Sequence, residues 1–393
     1  MMLSPMAPMT RPIYLDYHAT TPVDARVLTA MLPYFTEKFG NPASRQHAYG
    51  WAAQEAVEAA RGQVAALINA TAGEIVFTSG ASESNNLAIK GGSCCLREKG
   101  DHLITVATEH KSVLDSFKKL ESEGWRVTVL GVDREGFINL DELRAAITDR
   151  TVLLSVMAAN NEIGTLQPLA EIGAIAAERG VLFHTDAAQA AGKVPIDVKA
   201  MNVDLLSLTG HKYYGPKGAG ALFICRRKPR IELACQIDGG GHEHGFRSGT
   251  LNVPGIVGLG AAAEICRTDL DQERTRLGSL RDRLLAALRQ DLDGVHVNGP
   301  MGDHRLSHNL HVSLDGVEGE SLLMALGDLA VSTTSACSSG SQKPSHVLEA
   351  IGQHASASIR FGLGRTTSDE EIDIAAARLV KVVRSLRANA VHA

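Results

Sequence analysis

The sequence lacks most of the features that mark a function class at a glance. Its six cysteines, at positions 94, 95, 225, 235, 266 and 337, form no C-x-x-C pair, and their spacing fits neither a disulfide framework nor a zinc site. A reducing compartment is the simpler reading. The opening residues MMLSPMAPMTRP are broken by Pro5, Pro8 and Pro12 and hold no continuous apolar stretch, and no later run is long and apolar enough to span a bilayer. A cytoplasmic location with no membrane partner is therefore expected. With 39 basic against 44 acidic side chains the net charge is -5, so no global field draws nucleic acid, and no direct nucleic-acid partner is expected. No internal repeat stands out, and neither a P-loop nor a G-x-G-x-x-G fingerprint is present.

What the chain does have is length and alternation. Its 393 residues, 44% of them apolar, suffice for two domains. From about Glu74 to Arg226 short aliphatic runs alternate with helical patterns: EIVFTS, HLITVAT, WRVTVLGV, TVLLSVM, VLFHTDA, VDLLSLT and GALFICR. Such alternation predicts an α/β fold with a parallel or mostly parallel sheet covered by helices on both faces. Helical stripes flank it at 51 to 68 and 277 to 289, and the second follows the small-residue stretch GIVGLGAAAEIC. A domain boundary is expected near residue 265. Ligands in open sheets of this kind collect beyond the carboxyl ends of the strands, so the residues just after each run carry the interest.

Four of those positions fit together. EIVFTSGASESNNLAIKG reads as a strand, a small-residue turn and a helix start, where free N–H groups and the Ser82 hydroxyl make an anion site, or where Ser82 is only a helix cap. Asp186 in VLFHTDAAQ is either a helix cap or a buried carboxylate that holds a cationic ring nitrogen. His110 in ATEHKSVLD is a structural histidine, an acid–base group or a ring-stacking partner. Lys212 in LTGHKYYGPKG follows an apolar strand and precedes a turn, a setting for a pocket amine. An anion cup, a carboxylate, a histidine and a lysine at successive strand ends are what pyridoxal 5'-phosphate needs: a Schiff-base amine, a partner for the pyridinium nitrogen and a phosphate site.

On longer motifs the chain resembles the cysteine desulfurases of the class V aminotransferase family, in particular their long-loop, housekeeping-like group. The resemblance runs from YLDYHATTPVD through FGNPASRQHAYG, NNEIGTLQP, HTDAAQAAGK, TGHKYYGPKG, GGGHEHGFRSGTLN and SACSSGSQKPSHVL to SIRFGLGRTTSDEEID, essentially the whole chain. It implies the type I PLP-dependent transferase fold, with an N-terminal segment (1–20) joining the small domain, a large cofactor-binding domain (21–264) and a small domain (265–393) that carries a catalytic cysteine loop. It also implies a homodimer with active sites at the subunit interface.

Residue by residue, the resemblance makes Lys212 the Schiff-base lysine, Asp186 the partner of the pyridinium nitrogen and Gln189 the contact to the cofactor's phenolic oxygen. His110 matches the histidine that stacks on the ring and moves protons, and so counts with Lys212 and Cys337 as catalytic. Ser82, Thr209 and His211 match phosphate-binding positions, together with the backbone at Gly80 and Ala81, and Thr250 would reach the phosphate of the neighbouring subunit. Asn161 and Arg360 match the pair that holds the substrate carboxylate, and Cys337 the sulfur-accepting cysteine. The implied reaction converts L-cysteine to L-alanine, with sulfur passing to Cys337 as a persulfide and then to an acceptor protein. Iron–sulfur cluster assembly, tRNA thiolation and DNA phosphorothioation are all compatible destinations. Housekeeping members of the family dock their iron–sulfur scaffold protein with a tail beyond the last helix; with VVRSLRANAVHA following that helix here, docking of this kind is not expected. The rival readings are a selenocysteine lyase or another class V PLP enzyme such as a plain aminotransferase, and a non-catalytic scaffold of the same fold.

Overall fold

The chain enters the fold through β1 (Ile13–Tyr14) and then lays down seven strands: β2 (Ile75–Thr78), β3 (His102–Val106), β4 (Arg126–Leu130), β5 (Thr151–Ser155), β6 (Leu182–Asp186), β7 (Leu205–Thr209) and β8 (Gly220–Ile224). These are the seven apolar runs, each trimmed at one or both ends. The computed structural model describes residues 12–227, 229–333, 345–354 and 357–391. The strands form one sheet in the order β2-β8-β7-β6-β5-β3-β4. Pairing is parallel from β7 through β4, and β8 alone runs against its two neighbours.

The lack of polar alternation in the strands has a direct cause. Ile75 and Phe77 of β2 pack into one apolar cluster and Val76 into another on the opposite face, so both faces are buried. The helix Ala48–Leu67 and the start of the helix Val253–Asp291 cover the first face. A helix over Ala81–Asn86, continued by the π turn Leu87–Gly91, and the helix Lys111–Ser122 cover the second.

A second core lies around the antiparallel sheet β12-β13-β10-β9, built from β9 (Val295–Val297), β10 (Asn309–Leu314), β12 (Ser332–Thr333) and β13 (Ser358–Gly362). Leu310, Val312, Ile359 and Phe361 meet Leu379 and Val383 of the helix Asp369–Val391 there. β1 pairs in parallel with β11 (Leu329–Ala330), and Leu15 is buried in this same core. The expected division at 265 falls inside one continuous helix of 39 residues, Val253–Asp291. Its first stripe, Val253 to Cys266, packs on the large sheet, and its second, Leu277 to Leu288, packs on the small one. No proline interrupts it after Pro254, so one rod serves both cores. Among the described residues no helix is long and apolar enough to cross a membrane.

Candidate active site

Because β2, β3, β5, β6 and β7 run the same way, the residues just past their carboxyl ends share one edge of the sheet. A cavity of about 560 Å³ opens there, of the size that takes a cofactor. It is lined by Gly80, Ala81 and Ser82 after β2, His110 after β3, Asn161 after β5, Asp186 and Gln189 at and after β6, and Thr209, His211 and Lys212 at and after β7. Arg360 joins them from β13 of the smaller sheet. Thr250 does not line this cavity; it is exposed on the loop ahead of the long helix. Cys337 lies outside the described residues.

The anion cup follows from one glycine. Gly80, not Ser82, is the N-cap of the helix Ala81–Asn86, with φ of +154°, a conformation only glycine adopts freely. It has no side chain to cap the helix, so the first-turn N–H groups face the cavity without an intrahelical acceptor. Thr209 stands beside it: a methyl at Gly80 would sit 3.4 Å from Thr209 Oγ1. Glu83, which also lines the cavity, is neutralised by Arg247 at 2.9 Å.

Asp186 ends a fully buried strand. Its Oδ1 accepts the Ala188 N–H at 2.9 Å and its Oδ2 accepts from Asn85 Nδ2 at 2.7 Å, but the residues after it form turns and not a helix, so Asp186 is a buried carboxylate at a strand end and no helix cap. The side chain of Asn85 was not foreseen, because a polar residue mid-helix carries no local signal. His110 likewise caps the helix Lys111–Ser122: its Nδ1 accepts the Ser112 N–H at 3.1 Å. The proton of the neutral ring therefore sits on Nε2. Although the ring is accessible from the cavity, the surrounding protein desolvates it and holds its pKa below the ordinary imidazole range, with Asp186 opposing the shift.

Lys212 donates to the carbonyl oxygens of His18 and Ala19, the latter at 2.9 Å. Burial, aided by the Arg360 guanidinium, lowers its pKa to about 8. His211 is held down to about 4 by burial and by Lys212, so it is neutral at physiological pH. Its Nδ1 lies 3.2 Å from Thr20 Oγ1. Arg360 donates to the Asn161 carbonyl at 3.0 Å, to Ser332 Oγ at 3.0 Å and to Asp16 Oδ1 at 2.7 Å. Its Nε has no partner among the described residues.

These observations fit pyridoxal 5'-phosphate: an uncapped helix start for the phosphate, a buried carboxylate for the ring nitrogen and a lysine amine of lowered pKa in the same cavity. The fold and site define a PLP-dependent enzyme of the type I transferase fold. The chain belongs to the class V aminotransferase family, whose profile matches residues 13–374. It is 57% identical over 382 residues to the protein named cysteine desulfurase IscS of Anaeromyxobacter dehalogenans (strain 2CP-C), covering 96% of this chain and 94% of that one. Among solved structures it is similar to a NifS-like protein, with a TM-score of 0.88 at 36% identity over 95% of this chain and all of the other. It is also similar to SspA in complex with cysteine, with a TM-score of 0.78 at 39% identity, covering 89% of this chain and 98% of that one.

Proposed function

We propose that the protein is a cysteine desulfurase that takes L-cysteine to L-alanine and places the sulfur on Cys337. The observation that carries this reading is Lys212, a poorly solvated amine at the strand edge, in one cavity with Asp186, the Gly80–Ser82 cup and Arg360. Pyridoxal 5'-phosphate, when bound, supplies a carbonyl that captures the substrate amine and a ring that takes up the electrons of the α-carbon.

The residues divide the remaining work. Gly80, Ala81 and Ser82, with Thr209 and His211, hold the phosphate, and Asp186 keeps the ring nitrogen cationic. Gln189 contacts the phenolic oxygen. Arg360 and Asn161 grip the carboxylate of cysteine, a task suited to the guanidinium fork. Lys212, with its pKa near neutrality, removes the α-proton and can return a proton to carbon. His110, with Nε2–H at the cavity, packs on the ring. Cys337, as thiolate, attacks the substrate sulfur; the electrons of the broken carbon–sulfur bond pass to the β-carbon, which is protonated to give alanine. A sulfur-acceptor protein then takes the persulfide sulfur.

A homodimer is part of this reading. Leu28, Leu32, Phe35, Phe39, Tyr49 and Trp51 are all exposed, an apolar surface that a second copy would cover. Thr250 stands outside its own chain's cavity, as a residue serving the neighbouring phosphate must. The free state of the five described cysteines suits a cytoplasmic location. The test is chemical: purified protein given L-cysteine and a thiol, without any keto acid, should release alanine and sulfide in equal amounts. Cys337→Ser should still bind cofactor and cysteine yet release no sulfide, and full activity in that variant would remove Cys337 from the mechanism.

A further inference from the structure

Behind Gln189 runs a chain of side chains drawn from distant parts of the sequence, and donor–acceptor chemistry allows it only one arrangement. Arg305, between the two cores, is almost fully buried, and among the described residues its hydrogen bonds go to oxygen atoms of amides: the carbonyls of Asn298, Pro300 and Asn309 and the side chain of Asn309. Burial lowers its pKa to about 9, which leaves it a cation at neutral pH. A guanidinium can only donate. The Asn309 atom that lies 2.8 and 3.1 Å from it is therefore oxygen, and Nδ2 faces the other way. There Nδ2 donates to the Glu162 carbonyl at 3.0 Å and to His18 Nε2 at 2.9 Å. Gly164, with φ of +74°, makes room for this amide: a methyl there would lie 2.5 Å from Asn309 Oδ1.

His18 Nε2 must then accept, so the imidazole proton is on Nδ1, which donates to Gln189 Oε1 at 3.1 Å. The ring is buried and stacked on His308 at 4.5 Å, and burial keeps it uncharged. From the other side, Gln189 Nε2 donates to the His18 backbone carbonyl at 3.1 Å. Both ends agree: the amide carbonyl of Gln189 is turned toward the His18 ring. The second Nε2–H, which has no acceptor among the described residues, is left for the cavity that Gln189 lines.

We propose that Arg305, Asn309 and His18 are positioning residues that lock Gln189 with an N–H, not a carbonyl, available to the bound cofactor, so that the oxygen received there is kept as an oxyanion. This rests on the reading of Gln189 as the contact to the phenolic oxygen. No step of the reaction passes through the three residues; they set which way one amide faces.

The orientation can be read without catalysis. In ¹⁵N-labelled apoprotein, the imidazole resonances lost in His18→Phe should show a protonated Nδ1 and an unprotonated Nε2, unchanged down to about pH 6, where an ordinary histidine is mostly charged. A proton on Nε2, or on both nitrogens, overturns the proposal. Asn309→Asp places an acceptor against Nε2 and should move the His18 proton there, leaving Nδ1 to repel Gln189 Oε1. In the loaded protein the pH midpoint of the visible band should then rise by about half a unit or more, because an oxyanion that loses a donor becomes more basic. His18→Phe, which keeps the stack on His308 and has no N–H to give, should shift it the same way. If the His18 proton moves but the band does not, the hydrogen-bond chain stands and the assignment of Gln189 falls; if neither responds, the locking role itself is refuted.

Discussion

Arg360 and Asp16 form an ion pair at 2.7 Å on the wall of the cavity, so the guanidinium proposed to grip the substrate carboxylate already holds a carboxylate from its own chain. The two side chains are 11% and 18% exposed, enough shelter for the pair to matter and enough water for it to open. If Arg360 takes the substrate carboxylate as proposed, cysteine must compete with Asp16 for that nitrogen. Asp16→Asn removes the competing charge, and the KM for cysteine is expected to fall roughly fivefold, about 1 kcal/mol, with kcat little changed. Steady-state kinetics decide it: a higher KM would mean that Asp16 aims Arg360 instead of competing for it. Arg360→Lys keeps the charge and loses the fork, and should raise KM about tenfold to a hundredfold.

Lys212 sets a pH dependence that is visible before any substrate is added. A pKa of about 8 in place of 10.5 raises the share of neutral amine at pH 7 roughly 300-fold, since each pH unit is a factor of ten. With Lys212 as the proposed Schiff-base lysine, cofactor loading by apoprotein needs that neutral amine. The initial rate at which the visible band appears should climb about tenfold per pH unit below pH 8 and level off above it. Continued growth of the rate past pH 10 would show an unshifted amine.

The parts that could be read ahead of the structure share one property: their signals are local. Apart from the partly exposed edge strand β4, the strands announced themselves as aliphatic runs because both faces of the sheet are buried, and parallel order then carried Gly80, His110, Asp186 and Lys212 to one edge. The helix expected after Asp186 is absent, since its carboxylate holds the N–H of a turn, whereas His110 proved to cap the helix Lys111–Ser122 while its ring lines the cavity, a role its sequence neighbours did not announce. The His18–Asn309–Arg305 chain left no trace in the sequence. Its members are separated by up to 291 positions, and each type is unremarkable where it stands. The long helix was also missed as a single element, because its stripe changes from glycine and alanine to leucine where the packing partner changes from one sheet to the other.

Arg61 and Glu243 make a bidentate pair at 2.7 and 2.8 Å with both side chains almost completely out of water. Glu243 also accepts the Phe77 N–H, and Arg61 donates to the Ile75 carbonyl, so the pair ties the helix Ala48–Leu67 and β2 to the loop that ends in Thr250. The loop is bent hard there: Glu243 and His244 have φ of +50° and +60°. Arg61→Met strands a buried carboxylate and should cost about 3–5 kcal/mol, measured as a lower denaturant midpoint of the apoprotein. The double variant Arg61→Met, Glu243→Leu should recover part of that loss, and failure to recover any would mean that the pair acts through shape alone.

Glu109 is completely buried one residue before His110, with Oε1 on the Met157 N–H and no partner for Oε2 among the described residues. Burial, and then the charge of Asp186, push its pKa well above the usual carboxylate range. A folded-state pKa above the unfolded value means that the native protein binds more protons than the unfolded chain between the two. Stability contributed by this group is thus full below about pH 4.5 and is lost as the pH rises toward the folded value. Glutamine keeps an oxygen for Met157 and cannot ionise. Glu109→Gln should therefore raise the melting temperature of the apoprotein more at pH 8 than at pH 5, flattening its decline toward alkaline pH. An equal shift at both values would show that the carboxyl is already ionised in the native state.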